Sequence, residues 1–224
     1  MTRIAVADRR RALIAAAIRV IASEGLAAAT TRAVAAEADM SLASLHYVFG
    51  SRDALLEAVI EEITEAEARA ADHVMTLFVG QGASIGLEAL LATGIEGFVD
   101  GLVAEPDNEQ ALAELSIHAR RAGMDGLVAQ QRRIYLDAAA RTLAAAAAQT
   151  GAVWTVPLPE AAMLLTTLLD GITYSWLSHR DEAAARTSGR FIARSLAALA
   201  TTSSTSPAAV NPDAATRPEG ALTC

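Results

Sequence analysis

The chain has 224 residues, enough for one large domain or two small ones, and it contains 53 alanines but no lysine, so that all 18 basic residues are arginine. Its 26 acidic residues bring the formal charge to −8, which by itself disfavours a partner as anionic as nucleic acid. Because the single cysteine is Cys224, an intrachain disulfide and a cysteine-ligated metal cluster are both excluded.

The predicted elements are helical almost throughout. Alanine, leucine, glutamate and arginine dominate, and alternating β-branched runs are nearly absent, so we predict an all-α protein. Gly25 is placed to end the first helix, Thr30 and Thr31 to cap the second, and Ser41 to open the third. In chain order we predict helices over Ala7–Ser23, Arg32–Ala38, Ser41–Val48, Arg52–Leu77, 84–103, 108–122, 124–149, 159–179 and 182–200.

These helices divide the chain into three parts. We predict an N-terminal domain of three short helices over residues 1–51 and a larger helical domain over 52–200, joined by the long helix that begins at Arg52. From Thr201 onward the sequence is rich in Ser, Thr, Pro and Ala and lacks apolar periodicity. We therefore expect residues 201–224 to form a disordered tail.

The apolar segment from about Ala161 to Ser178 raises the question of a membrane span. It is interrupted by Asp170, and a carboxylate at the centre of a bilayer costs roughly 2.5 to 3.5 kcal/mol on insertion scales. We interpret the segment as a buried helix. Near the N-terminus no unbroken apolar stretch leads to a small-residue cleavage site, so we expect a cytoplasmic protein with no membrane partner.

The charge is distributed unevenly along the chain. Residues 1–35 carry six arginines against two acidic residues, a net charge of +4, whereas residues 54–200 carry ten arginines against 19 acidic residues, a net charge of −9. Attraction to phosphate acts over about a Debye length, roughly 8 Å at physiological salt, so local charge matters more than the total. The basic end is therefore compatible with a nucleic-acid-binding head on an acidic body.

Within this head, the second and third helices are separated only by Asp39-Met40, as a helix-turn-helix requires. Asp39 suits such a turn because aspartate tolerates the left-handed backbone conformation better than most residues. Spacing alone leaves open an ordinary helical hairpin in a bundle.

Three stretches of the head are more specific. They are AAAIRVIASEG over residues 15–25, TTRAVAAEA over 30–38 and SLASLHYVFGSRDALL over 41–56. Together they resemble the N-terminal DNA-binding domain of the TetR family of transcriptional regulators, and 168–172 (LLDGI) is similar to an element of that family's dimerisation helices. The resemblance implies a homodimer that binds a palindromic operator duplex and, most often, represses transcription until a small molecule releases it.

The resemblance also implies roles for individual side chains. The residues expected at DNA are Thr31, Arg32, Leu42, Ala43, Ser44, His46, Tyr47 and Arg52. Arg32 would contact a phosphate or a guanine edge, His46 a base edge, and Arg52 would clamp a phosphate. The family's usual turn glycine is Asp39 here, and His46 replaces its common tyrosine, so base preference does not transfer from the family.

We expect the effector cavity among the middle helices. The candidate lining residues are Phe98, Leu102, Leu115, His118, Tyr135 and Trp176, and their lack of charge predicts an apolar or weakly polar ligand. The apolar face of 159–179 is expected at a subunit seam. We predict no cofactor and no metal, because Glu114 and His118 share a helix face without further ligands in reach.

Two other functions fit parts of the sequence. Gly82-Ala83-Ser84-Ile85-Gly86 matches the nucleophile elbow of a serine esterase, although that elbow needs a parallel sheet which the sequence does not supply. Ser84 can instead cap the helix that follows. The second alternative is an all-helical interaction module that does not bind DNA. We expect no enzymatic activity.

Overall fold

The fold was obtained as a computed structural model, which describes residues 5–78 and 85–202. These residues form nine helices and two three-residue strands, so the predicted all-α class is confirmed. In chain order the elements are α1 (Val6–Glu24), α2 (Thr31–Glu37), α3 (Leu42–Phe49), α4 (Arg52–Phe78), α5 (Leu87–Ala104), α6 (Pro106–Arg121), α7 (Asp125–Thr150), β1 (Ala152–Trp154), α8 (Leu158–His179), α9 (Glu182–Ala197) and β2 (Ala200–Thr202).

Local capping determines where the short helices begin. The Thr30 hydroxyl accepts the Ala33 N–H at 3.1 Å at the start of α2, and the Ser41 hydroxyl accepts the Ser44 N–H at 3.2 Å at the start of α3. Gly25 ends α1 with a φ of 83°, a conformation that favours glycine. The predicted caps and the predicted stop at Gly25 are therefore confirmed.

The apolar side chains form two separate cores. We call the first the head core; it combines α1, α2 and α3 with the first half of α4 and with α6. The second, the body core, lies among α5, α7, α8 and α9. Fully buried members of the head core include Leu13, Val34, Leu45, Val59 and Leu115, and those of the body core include Val99, Leu102, Leu143 and Leu196. The head core thus extends past residue 51 into two helices of the larger domain.

Close packing and ion pairs join α5 to α9. A Cβ atom at Gly189 would lie 2.8 Å from Cγ2 of Ile95, so only glycine fits at this crossing without a shift. Beside it, the Arg186 guanidinium of α9 donates to Glu96 and Asp100 of α5 at 2.7 Å each. This contact holds the C-terminal helix against the body core.

The C-terminal boundary differs from the prediction. Helix α9 ends at Ala197, not at 200, and β2 then pairs antiparallel with β1, Thr202 lying opposite Ala152. The expected tail therefore does not begin at Thr201, because Thr201 and Thr202 take part in this ladder. Residues 203–224, where the rest of the predicted tail falls, lie outside the described residues.

The described helices also bear on two questions raised by the sequence, a membrane span and an esterase nucleophile elbow. No helix in the described ranges is both long and apolar enough to cross a membrane. In α4, residues 74–78 are helical and not a strand, so the strand required before a nucleophile elbow is missing there. The elbow residues Gly82, Ala83 and Ser84 lie outside the described residues, and α5 is capped by Gly86 without a side-chain hydrogen bond.

Candidate DNA-binding and effector sites

The helix-turn-helix is formed by α2, α3 and the turn between them. Asp39 adopts a φ of 51°, the left-handed conformation expected of it, and the Met40 N–H donates to the Ala35 carbonyl at 2.8 Å. Val34 and Leu45 are fully buried between the two helices and α1. The turn is therefore tight, and the apolar contacts fix the orientation of α3.

One face of α3 is free to meet a partner. Tyr47 is 71% exposed and Leu42 is 36% exposed, and Ala43 and His46 are also exposed, whereas Leu45 on the opposite face is fully buried. An α-helix such as α3 fits into the major groove of DNA, which is about 12 Å wide. The structure thus brings the predicted α3 residues together on one exposed surface.

Hydrogen bonds already engage two of these α3 side chains. The Ser44 hydroxyl lies 3.0 Å from that of Ser41 at the helix cap. His46 Nδ1 lies 3.2 Å from the Gly50 carbonyl oxygen, which can only accept, so Nδ1 donates. In the neutral imidazole, Nε2 then carries no proton. It can accept a hydrogen bond from the amino group of cytosine or adenine.

On α2, Arg32 is exposed and Thr31 is half-buried at the helix start. Arg19 differs, because its guanidinium donates to Glu37 at 2.7 Å. The structure describes no such carboxylate partner for Arg32. Its guanidinium therefore remains available for an external acceptor such as phosphate or guanine.

Arg52 has a role inside the protein that the sequence did not indicate. Its Nε donates to the Ala29 carbonyl and its Nη2 to the Leu26 carbonyl, both at 2.7 Å. These bonds attach the start of α4 to the connection between α1 and α2, just before the Thr30 cap. Hydrogen bonds from charged donors contribute about 1.5 to 3 kcal/mol each, so Arg52 helps to position α2 whatever else it contacts.

Helix α6 holds the same connection from the other side. The Glu114 carboxylate accepts the Leu26 N–H at 2.7 Å and the Gln110 side-chain N–H at 3.1 Å. Leu26 is thus bound through its N–H by α6 and through its carbonyl by α4. The head is joined to the body by two helices and not by α4 alone.

The six predicted effector residues do not line one cavity. Leu115 lies in the head core, with His118 one turn later on α6, whereas Phe98, Leu102 and Trp176 pack in or against the body core. Tyr135 lies elsewhere, and its hydroxyl donates to the Glu67 carboxylate at 2.5 Å. The six residues therefore belong to different packing groups, and their role in an effector cavity stays a prediction.

Glu67, the partner of Tyr135, belongs to a cluster of acidic groups. Burial, reinforced by the neighbouring Glu109 carboxylate, raises the pKa of Glu67 to about 8. Burial also raises the pKa values of Glu109 and Asp170, and Arg132 opposes the shift at Asp170. The distribution of charge along the sequence does not reveal this cluster, because its members come from α4, α6, α7 and α8. One signal was available: Glu67 continues the buried stripe of Ile60, Ile63 and Thr64 on α4.

A groove of about 360 Å³ lies between α8 and α9. Its walls include Leu168, Gly171, Ile172, Trp176 and Phe191, and Trp176 is the predicted effector residue that faces it. Large apolar side chains are exposed along the same two helices, namely Met163, Leu164, Tyr174 and Phe191. In the described ranges, no three His, Cys, Asp or Glu side chains are disposed to hold a metal ion.

Comparison with known proteins supports the helix-turn-helix assignment. Residues 13–59 match the family model for bacterial regulatory proteins of the tetR family. The chain is 33% identical over 135 residues to the nicotine-responsive transcriptional repressor HdnoR of Paenarthrobacter nicotinovorans. The match spans 60% of this chain and 66% of the repressor, just under two thirds of that protein's length.

Solved structures resemble the whole fold. A member of the TetR family from Streptomyces coelicolor is 28% identical, with a TM-score of 0.61 over 83% of this chain and 98% of its own. The multidrug-binding protein EbrR, in its complex with ethidium, is 27% identical, with a TM-score of 0.57 over 84% of this chain and 97% of its own.

Proposed function

We propose that this chain is a member of the TetR family of bacterial regulatory proteins and that it acts as a dimeric, effector-responsive transcriptional repressor that binds palindromic operator DNA. The observation that carries the proposal is the exposed face of α3 on a helix-turn-helix whose opposite face is buried in the head core. The net charge of +4 over residues 1–35 gives this face the sign needed for phosphate.

The proposed DNA contacts divide by chemistry. Tyr47 and Arg32 are exposed and can reach the groove, and the acceptor Nε2 of His46 is suited to a base amino group. Leu42 and Ala43 can pack against thymine methyl groups. We propose that Thr31 and Ser44 contact phosphates and that Arg52 uses its remaining N–H groups for the same purpose while holding the α1–α2 connection.

A second copy of this chain is the proposed occupant of the α8–α9 surface. The surface combines the groove with exposed apolar side chains, including Phe191, which is 62% exposed. Exposed apolar patches of this kind mark interaction sites, and two recognition helices must span half-sites about 34 to 36 Å apart. We propose that a two-fold interface along α8 and α9 pairs the recognition helices of the two copies.

We propose that an effector changes DNA affinity through α4 and α6 together. Both helices bind Leu26, so a shift of either one relative to the body displaces the connection that precedes α2. An affinity difference of about 5- to 150-fold requires a coupling free energy of roughly 1 to 3 kcal/mol. The response of HdnoR to nicotine and the ethidium in the EbrR complex support a small organic molecule as the effector of this chain.

Selection of bound duplexes from random DNA, followed by fluorescence anisotropy, tests the DNA-binding function. We expect a palindromic consensus that the full-length protein binds at least 100-fold more tightly than random DNA. Replacing Arg32 or Tyr47 with Ala should reduce the ratio of the affinity for the palindrome to the affinity for random DNA, because contacts to base edges are lost. Arg133→Ala, which removes an exposed arginine from α7, is the matched control. Failure to enrich any sequence would contradict the proposal.

Sedimentation analysis tests the dimer. Phe191→Asp should convert the dimer to monomer and weaken binding to the palindrome more than to a single half-site. Ile117→Asp on α6 introduces the same charge at a site that is 52% exposed, and it should leave the dimer intact. Equal effects of the two substitutions would place the subunit contact elsewhere.

A further inference from the structure

The helix-turn-helix carries little positive charge of its own. Residues 31–49, which form α2, the turn and α3, contain one arginine, Arg32, against Glu37 and Asp39, a net charge of −1 with histidine neutral. Helix α3 contains neither arginine nor lysine. Four of the six arginines of residues 1–35 lie instead on α1. Base recognition by α3 and the turn before it therefore depends on groups other than cations.

The two acidic residues of the helix-turn-helix differ in their surroundings. The Glu37 carboxylate accepts the Arg19 Nε–H at 2.7 Å, so its charge is balanced within the head. Asp39 is exposed, and its carboxylate has no hydrogen-bond or ion-pair partner in the part of the chain that the structure describes. The next residue, Met40, packs against the head core. Asp39 thus presents an uncompensated negative charge on the outside of the turn.

The backbone at Asp39 does not explain why a carboxylate is present. Its φ of 51° lies in the left-handed region, which glycine adopts with the least strain. Main-chain bonds hold the turn: the Asp39 N–H donates to the Ala36 carbonyl at 3.0 Å, and the Met40 N–H donates to the Ala35 carbonyl at 2.8 Å. The carboxylate takes part in neither bond. Since residues in such conformations cluster at functional sites, we looked for a role in binding.

Asp39 lies next to the end of α3 that meets the bases. In a helix-turn-helix, the first residues of the recognition helix contact base edges in the major groove. Only Met40 separates Asp39 from Ser41, the residue that caps α3. Leu42 and Ala43 follow as exposed residues of the first turn. When α3 docks as proposed, the Asp39 carboxylate therefore lies at the mouth of the groove, beside side chains proposed to contact bases.

A carboxylate in this place distinguishes the four bases by their major-groove edges. Guanine presents two acceptors, thymine presents one, and adenine presents an acceptor beside its amino group. Each of these acceptors faces the negative charge unfavourably, as phosphate oxygens also do. Cytosine presents only its amino group, which donates to a carboxylate. Of the four bases, cytosine alone compensates the charge of Asp39 without bringing an acceptor of its own.

We propose that Asp39 is a specificity-determining residue that accepts a hydrogen bond from the 4-amino group of one cytosine in each operator half-site. The same carboxylate weakens binding to other duplexes, because there it faces acceptors and phosphates without a donor. A repulsive group of this kind adds to the discrimination that attractive contacts provide. The inference rests on the proposed operator binding, and it names the base and the atom that Asp39 recognises.

Selection of duplexes from random DNA, with the full-length wild type and with Asp39→Gly, tests the base preference. Glycine suits the φ of 51°, so the variant should keep the turn. The wild type should enrich a palindrome with one preferred cytosine per half-site that depends on Asp39. In the variant this preference should disappear while the preferences at the other positions persist. Unchanged preferences at every position would overturn the proposal.

Anisotropy titrations with a modified operator test the atom. In the modified duplex, 2-pyrimidinone, which is cytosine without its 4-amino group, replaces the selected cytosine in both half-sites. The wild type should bind this duplex at least about fivefold more weakly than the unmodified operator, as expected for loss of a specific base contact. Asp39→Gly should bind both duplexes equally. Because the modification weakens the base pair for both proteins alike, the difference between them measures the contact. An equal loss in both proteins would contradict the proposal.

Binding to random DNA tests the repulsive part of the proposal. Asp39→Gly should bind random duplex about two- to fivefold more tightly than the wild type, the range expected for one exposed charge. The matched control is Asp53→Asn, which removes an exposed carboxylate from the first turn of α4, outside the helix-turn-helix. This control should retain the cytosine preference and the response to 2-pyrimidinone. Loss of both in the control as well would assign the effect to net charge and overturn the role of Asp39.

The same selections distinguish the two possible failures. If the wild type and Asp39→Gly enrich one palindrome with the same base preferences, the role of Asp39 fails and the regulator function stands. If the wild type enriches no duplex, the regulator function fails, and the role of Asp39 fails with it.

Discussion

The head and the body of this protein satisfy their polar groups in different ways. In the head, the hydrogen bonds that set the elements are mostly local, such as Thr30 to Ala33 and Ser41 to Ser44, three residues apart. In the body, the decisive contacts join distant segments: Tyr135 and Glu67 are 68 residues apart, and Arg186 and Glu96 are 90 apart.

This difference shows how each region positions its polar side chains. In the head, local caps and a closed apolar core position the side chains of α3. In the body, the carboxyl groups of Glu67 and Glu109 are desolvated by helices that lie far apart in the sequence, and burial raises the pKa of both. The head therefore depends mainly on short-range contacts, and the body on contacts between distant segments.

The largest expected effect comes from deleting one side chain in each core. Leu45→Ala and Leu143→Ala both remove a fully buried leucine, and each should lower the free energy of unfolding by about 2 to 5 kcal/mol. Hydrogen exchange should show the loss of protection in α1–α3 for the first variant and in α5 and α7–α9 for the second. Identical exchange patterns would mean that the two cores unfold as one unit.

A smaller effect is expected at the connection between head and body. Arg52→Ala removes two hydrogen bonds to carbonyl oxygens, so we expect a loss of about 2 to 4 kcal/mol in stability. Binding to specific and random DNA should weaken by the same factor, because the position of α2 changes without loss of a base contact. Anisotropy titrations measure this factor, and a change in the ratio of specific to random affinity would assign Arg52 to base readout.

The smallest effect concerns pH. The folded pKa of Glu67, about 8, lies above its ordinary value of 4.5, so the folded state holds this proton more strongly than the unfolded state. The resulting stability is fully present below about pH 4.5 and is lost as pH rises through about 8. Glu67 is only half-buried, so solvent screens most of this effect. Relative to Glu67→Gln, denaturant unfolding of the wild type should therefore show a free energy of unfolding that declines by about 1 to 2 kcal/mol across this range. Parallel pH profiles would indicate that water reaches the carboxylate freely.

Much of the head was predictable because its signals are short-range. The caps at Thr30 and Ser41, the stop at Gly25 and the left-handed Asp39 follow from the conformational preferences of single residues. The exposure of Tyr47 and the burial of Leu45 follow from helical periodicity. The contacts that these residues make with DNA remain predictions.

The body was less predictable because its acidic cluster is assembled from four helices. Tyr135 was identified as a cavity residue, but its partner Glu67 was not, since nothing in the local sequence around either residue indicates the other. The second role of Arg52 was missed for the same reason, as its acceptors lie 23 and 26 residues away. The short β1–β2 ladder was missed because a three-residue strand has too few alternations to be recognised.

The sequence by itself determined the helical class, the order and approximate bounds of the helices, and the helix-turn-helix, because helix propensity, capping and periodicity act within a few residues. Only the tertiary structure decided that α6 joins the head core, that Arg52 and Glu114 hold the same residue, and that the carboxyl groups of Glu109 and Asp170 come close enough to Glu67 to raise its pKa. These features depend on which surfaces become buried together, and burial sets both the desolvation of charges and the strength of their interactions.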